Sequence, residues 1–175
     1  MKKVIAFAGS TSSTSINKQL ATYASTLLDT TESTVVDMNA YKAALYSSDE
    51  EQKGFPENLV AFSEELKAYD GFIISLAEHN GSYAAAFKNT LDWLSRINRS
   101  IFNEKPVLLM AASPGGRGGA SVLASAEAYF PHAGAGKVIS FSFPKFYENF
   151  KEGAIVNQEL KNALKKSVQE FQGSL

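Results

Sequence analysis

The chain has 175 residues, 45% of them hydrophobic and 20% charged, which is ordinary globular usage and predicts a single domain spanning residues 1–175. Its 17 basic and 18 acidic residues give a formal net charge of -1, which argues against nucleic acid or an anionic membrane as a partner and leaves small molecules or a second copy of the chain. The absence of cysteine excludes disulfides, thiolate metal sites and thiol nucleophiles.

The N-terminus resembles a signal peptide only superficially. Two lysines precede an apolar run at residues 4–8, but this run is too short for the hydrophobic region of a signal and it breaks at Gly9. No later segment approaches the length of a membrane span. We therefore expect a strand at residues 4–8, no membrane association and a cytoplasmic location.

Short apolar runs alternate with stretches of helical periodicity along the rest of the chain. The predicted strands are residues 4–8, 34–38, 71–76, 107–112 and 137–141. Between them, apolar residues at helical spacing predict helices near residues 16–27, 56–69, 84–94 and 122–130. A terminal helix is expected to follow an N-cap at Asn157, and residues 41–55 are expected to form a mobile loop.

This alternation predicts a parallel sheet with helices on both faces. Ligands of such sheets bind at the carboxyl ends of the strands, near a topological switch point. The loops after the first, third and fourth strands are therefore the candidate site, and they are also the least ordinary stretches of the sequence.

The first of these loops, residues 9–17, places six hydroxyl side chains between a strand and a helix. Hydroxyls and the free amides of a helix N-terminus bind phosphate well. The loop matches neither the dinucleotide fingerprint nor the Walker sequence. The alternative is that Ser15 merely caps the helix in an otherwise ordinary polar loop.

The other two loops carry groups suited to a flat, polar ring. Residues 75–82 hold polar side chains on a tight path beside Gly81, and residues 113–119 hold four glycines within five residues. Bare backbone amides on such a glycine-rich loop can approach the edge of a heteroaromatic ring closely. Hydroxyls for a phosphate and amides for a ring together favour a phosphorylated planar cofactor.

Three motifs in these loops resemble those of the NADPH-dependent FMN reductase family, over roughly residues 3–150. The first family motif, approximately G-S-x-R-x-x-S-x-N, is matched by Gly9, Ser10, Ser15 and Asn17. The second, P-E-Y-N followed by K-N-x-x-D-W-L, is matched by Glu78, Asn80, Lys88, Asn89, Asp92, Trp93 and Leu94. The third, a Ser-Pro-Gly stretch ending in paired glycines, is matched by residues 113–119.

The resemblance implies a flavodoxin-like three-layer sandwich with a five-stranded parallel sheet in the order 2-1-3-4-5. It further implies an FMN cofactor with NADPH or NADH as co-substrate. Phosphate binding would fall to the first loop, and the second and third loops would border the ring. The cofactor-binding residues expected on this basis are Ser10, Ser12, Ser15, Ile16, Asn17, Ala77, Glu78, His79, Asn80, Gly81, Ser113 and Gly115.

The chain departs from the family pattern at three of these positions. Ser12 stands where the family has an arginine facing the phosphate, Ala77 replaces a proline and His79 replaces a tyrosine. Losing the guanidinium removes a charge-assisted contact and predicts weaker FMN binding, unless Lys18 or a neighbouring subunit supplies the charge.

The helix at residues 83–98 has a second apolar stripe, formed by Ala86, Trp93 and Ile97. A helix that is apolar on two faces buries both of them. Because the family forms dimers or tetramers through this helix, the resemblance implies that Trp93 lies at a homodimer or homotetramer interface. The alternative is scattered exposed apolar residues.

No side chain is predicted to be catalytic, and two histidines without a neighbouring cluster predict no metal site. A flavin carries hydride chemistry itself, so the predicted function is a ping-pong NAD(P)H oxidoreductase that reduces a small acceptor such as a quinone, flavin, azo compound or oxyanion. Two alternatives are a flavodoxin-like electron carrier and a non-catalytic flavin-binding protein. The near-neutral charge counts against the carrier.

Overall fold

The computed structural model describes all 175 residues, and its secondary-structure elements alternate as the sequence predicts. A 3-10 helix at Met38–Tyr41, two short helices and two short hairpins add to the predicted elements. In chain order the elements are β1 (Lys2–Gly9), α1 (Ile16–Ser25), β2 (Thr31–Val35), α2 (Ser48–Gln52), α3 (Glu57–Lys67), β3 (Gly71–Leu76), β4 (Glu78–His79), β5 (Ser82–Tyr83), α4 (Ala85–Ile97), β6 (Val107–Ala112), α5 (Ala120–Tyr129), β7 (Val138–Phe143), α6 (Phe146–Asn149), β8 (Phe150–Lys151), β9 (Ala154–Ile155) and α7 (Gln158–Gln172).

Five strands form one parallel sheet in the order β2-β1-β3-β6-β7. Counting these five strands alone, the order is 2-1-3-4-5, which confirms the predicted topology. The third and fourth of them have the predicted bounds, because they are buried on both faces and read as continuous apolar runs. The second begins three residues before its prediction. It is an exposed edge strand, and pairing with β1 rather than an apolar run sets its position.

Each face of the sheet carries its own hydrophobic core. Helices α1 and α7 cover one face, and α3, α4 and α5 cover the other, so the domain has three layers. Asn157 caps α7 as predicted, and Ser15 caps α1, as the alternative interpretation of the first loop expected; each accepts a hydrogen bond from a backbone amide of the first turn. None of the seven helices combines the length and apolarity that a membrane span requires.

The prediction that Trp93 lies at a subunit interface is wrong, because the chain itself buries this residue. Trp93 is 1% exposed, and its indole Nε1 donates a hydrogen bond to the carbonyl of Ala44 at 2.8 Å. The rings of Tyr46 and Phe55 meet it edge-on, with centroids 5.2 and 6.3 Å away. Residues 44–55 thus cover Trp93, whereas Ala86 of the same stripe is exposed and Ile97 is half-buried. This covering segment also contains the short helix α2, which the sequence did not predict.

The family motif on α4 explains how this covering segment is held. Asn89 accepts a hydrogen bond from the Tyr46 amide at 2.8 Å and donates to the carbonyls of Ala43 and Ala44 at 3.3 and 3.1 Å. Its neighbours Lys88 and Asp92 form an exposed ion pair along the helix, 2.6 Å between Nζ and Oδ1. Asn89 of the motif therefore holds residues 43–46 against α4.

Candidate functional site

A cavity of about 230 Å³ opens at the carboxyl edge of the sheet, between the loops after β1, β3 and β6. Nine of the twelve residues expected to bind the cofactor line it, which brings all three predicted loops together. These nine are Ser10, Ser12, Ser15, Ile16, Asn17, Ala77, Glu78, His79 and Ser113.

The first loop presents hydrogen-bond donors that no group in the chain uses. The backbone amides of Ile16 and Asn17 open α1 and have no acceptor. Ser10 and Ser12 each accept a hydrogen bond from a loop amide, at 3.2 and 3.3 Å, as Ser15 does from the amide of Lys18 at 3.1 Å. A hydroxyl that accepts in this way still has its own O–H to donate. The Ser12 hydroxyl also lies 3.4 Å from that of Thr14, and either of the two can donate to the other. The loop can therefore surround an anion with donors.

The side chain of Asn17 has a structural role and does not face the cavity as a free donor. It is 2% exposed, and its Oδ1 accepts hydrogen bonds from the Ala112 amide at 2.8 Å and the Ser75 hydroxyl at 2.7 Å. Its Nδ2 donates to the Ala112 carbonyl at 3.2 Å. Asn17 thereby fixes the first turn of α1 to the ends of β3 and β6, and its backbone amide is free for a ligand.

The positive charge nearest the first loop is already paired. Lys18 Nζ lies 2.6 Å from Asp37 Oδ2, and this contact, with hydrogen bonds from Asn39, lowers the pKa of Asp37 to about 2. The carboxylate therefore stays ionised at neutral pH and keeps Lys18 paired. Asn39 also donates to the carbonyl of Thr11 at 3.1 Å, which ties the loop to the 3-10 helix.

The second loop is a β-hairpin that Glu78 anchors to α5. Glu78 Oε2 accepts hydrogen bonds from the amides of Ser121 and Val122, at 2.9 and 3.0 Å, and so caps the positive end of that helix. Asn80 and Gly81 form the two-residue turn between β4 and β5, both with positive φ. The Asn-Gly pair is a standard sequence signal for such a hairpin. These two residues lie outside the cavity lining.

The four glycines of the third loop form two pairs with different surroundings. A Cβ on Gly115 or Gly116 would meet nothing within 4 Å, and the amides of both have no acceptor in the chain. Gly118 and Gly119 have positive φ and are packed, and a Cβ on Gly119 would lie 2.5 Å from that of Ala111. Gly115 itself lies outside the cavity lining, although Ser113, whose hydroxyl donates to its carbonyl, is part of it.

We expect Gly119→Ala to lower the free energy of unfolding by about 2 kcal/mol, because the new Cβ combines an unfavourable φ with a clash against Ala111. Gly116→Ala is the matched control and should change stability by less than about 0.5 kcal/mol. Urea unfolding of both variants measures the difference. Equal stabilities would show that the packed glycine is not required.

Four cavity residues were missed by the sequence analysis: Thr14, Ala112, Pro114 and Tyr147. Tyr147 is the most conspicuous of them, since it is 61% exposed and lies on α6, just after β7. The loop after a fifth parallel strand reaches the same edge of the sheet as the other three. That topological argument could have identified Tyr147, but no local pattern marks it.

Comparison with known proteins agrees with this fold. The model of the NADPH-dependent FMN reductase family matches residues 2–148. A quinone reductase from Escherichia coli (strain K12) is 39% identical over 77 residues, which are 43% of this chain and 41% of that protein. An NADPH azoreductase from Bacillus sp. (strain OY1-2) is 32% identical over 119 residues, 68% of this chain and 62% of that protein. The chain thus spans less than two thirds of the length of both relatives.

Among solved structures, the chain is similar to FerB, a flavoenzyme NAD(P)H:(acceptor) oxidoreductase from Paracoccus denitrificans. The TM-score is 0.78 at 22% identity, covering 99% of this chain and 97% of the other, so this likeness concerns the fold. The family model, by contrast, covers most of the chain, including all three loops. The chain therefore belongs to the NADPH-dependent FMN reductase family.

Proposed function

We propose that this protein is an FMN-dependent NAD(P)H oxidoreductase that reduces a small acceptor such as a quinone or an azo compound. The observation that carries the proposal is the cavity at the carboxyl edge of the sheet, where unused amides and hydroxyls of one loop face the two loops expected to border the ring. The names of the quinone reductase and azoreductase relatives support the choice of acceptors.

The donor set of the cavity fits FMN. The free amides of Ile16 and Asn17 and the hydroxyls of Ser10, Ser12 and Ser15 suit a phosphate group at a helix N-terminus. Ala77 and His79 offer a short wall for the ring, and the third loop adds the unused amides of Gly115 and Gly116 beside the cavity. The cofactor-binding set, including Asn80, Gly81 and Gly115 outside the lining, remains our proposal.

FMN supplies the hydride chemistry when bound, taking a hydride from NAD(P)H and giving it to the acceptor. The role of the chain is to hold and orient the cofactor. Asn17 and Glu78 fix the first and second loops to their supporting strands and helix, so that the donors are preorganised. We propose no catalytic side chain, since the cofactor itself needs no protein nucleophile.

Steady-state oxidation of NADPH in the presence of FMN and a quinone tests this function. Turnover that requires both FMN and the quinone is the expected result. Bound flavin without turnover would instead favour an electron carrier, and failure to bind flavin would favour a non-catalytic protein. The comparison of NADH with NADPH in the same assay settles the preferred nicotinamide.

We expect Ser12→Arg to bind FMN at least as tightly as the parent. Its affinity should be about tenfold higher if the new guanidinium reaches the phosphate. Ser12 is exposed and lines the cavity, and the nearby Lys18 is already paired with Asp37. Titration of the apoprotein with FMN measures the change. Markedly weaker binding by the variant would contradict the assignment of this loop to the phosphate.

We further propose a homodimer or homotetramer built on α4 and the segment that covers it, and a cytoplasmic location. Trp93 is not part of that surface, but Leu45 and Phe55 beside it are 78% and 43% exposed. Light scattering of the purified chain measures the oligomeric state. A monomer at micromolar concentration would contradict this proposal without affecting the flavin site.

A further inference from the structure

A second, larger cavity lies beside the first, between the outer face of α1 and the β8–β9 hairpin. Its volume is about 520 Å³, within the range of small-ligand pockets. Thr14 and Ser15 line both cavities, so the groove begins where the phosphate-binding loop ends. A ligand held at this loop can therefore continue into the groove.

The lining of this groove combines polar side chains with one aromatic corner. Hydroxyls, an amide and an ammonium line its length, and Tyr23 meets Phe150 edge-on at its hairpin side, with ring centroids 5.8 Å apart. Hydroxyls and an amide suit the ribose and the polar edge of a purine, and the aromatic corner suits its apolar faces. The polar lining residues are Ser13, Thr14, Ser15, Lys18, Gln19, Thr22 and Thr26.

From this contiguity and lining we propose that the groove binds the adenylate half of FAD, so that the chain holds FAD as well as FMN. The proposal rests on the flavin site proposed above. The flavin half would occupy the first cavity, and the pyrophosphate would pass the N-terminus of α1 at Thr14 and Ser15.

A bulky side chain in the groove separates the two flavins. Thr22 is exposed on α1, lines the groove and lies outside the first cavity. Thr22→Trp should weaken FAD binding by about tenfold or more while changing FMN binding by less than about twofold. Thr34→Trp, at an exposed position on β2 away from both cavities, is the matched control and should leave both affinities unchanged.

The measurement is quenching of flavin fluorescence on titration with flavin-free full-length protein, with FMN and FAD in parallel. The proposal is overturned if the parent binds FAD more than about a hundredfold more weakly than FMN, or if Thr22→Trp affects both flavins equally or neither. If Thr22→Trp raised the KM for NADPH but left FAD binding unchanged, the groove would instead belong to the adenylate of the co-substrate, and the proposal would be overturned. If the parent did not bind FMN, the proposed flavin site itself would be contradicted, which is a separate result.

Discussion

Replacing Asn17 with leucine is expected to lower the free energy of unfolding by about 3 kcal/mol. The variant keeps the branched skeleton of the side chain, with a larger volume, but removes three buried hydrogen bonds, to both backbone groups of Ala112 and to the hydroxyl of Ser75. Buried groups left without partners cost about 1–3 kcal/mol each, and some of them will recover partners by relaxation. Urea unfolding of the flavin-free protein measures the loss.

Ser75→Ala is the matched control, because it removes only one of the three partners of Asn17. Asn17 Oδ1 then still accepts the Ala112 amide, so the cost should stay near 1 kcal/mol. A loss below about 1 kcal/mol for Asn17→Leu would contradict the structural role of this side chain. Such a small loss would favour the expectation that the Asn17 side chain binds the phosphate directly.

Ile16→Pro is expected to weaken FMN binding by about tenfold to a hundredfold while leaving the fold intact. Ile16 is the first residue of α1, a position where proline is tolerated, and its amide has no acceptor in the chain. The preceding residue, Ser15, has ψ 116°, which a following proline accepts. The variant therefore removes one donor for the phosphate, a charge-assisted hydrogen bond contributing about 1.5–3 kcal/mol.

Ile16→Val controls for the loss of side-chain packing, since it trims the side chain and keeps the amide. Its FMN affinity should remain within about twofold of the parent. Flavin titration and thermal unfolding of both variants separate binding from stability. If proline and valine had the same effect on affinity, the amide of Ile16 would not contact the phosphate.

The parts of the fold that sequence could predict are those whose burial leaves a pattern. β3 and β6 are covered on both faces, so each reads as an apolar run with clear ends. The edge strand β2 is mostly exposed and carries no such run, which explains its misplaced start. Trp93 was misassigned because periodicity shows that a stripe is buried, and does not show whether the same chain covers it.

The candidate site was predictable in position but only partly in the role of each residue. Parallel topology brings the loops to one edge, and hydroxyls and glycines mark them. Sequence spacing does not give side-chain direction, however. Asn17 and Glu78 turned out to anchor their loops through buried or helix-capping hydrogen bonds, and Gly118 and Gly119 pack against neighbouring strands. Tyr147, on α6 just after β7, carries no local sequence signal.

The visible absorbance of the purified protein, before and after anaerobic addition of NADPH, tests the central claim most directly. The claim is that the loop at residues 9–17 and its two neighbours hold an FMN that accepts hydride from NADPH. A yellow protein whose absorbance bleaches on adding NADPH, and returns on adding a quinone, is the predicted result. A protein that stays colourless after incubation with FMN, or a bound flavin that NADPH leaves oxidised, would contradict it.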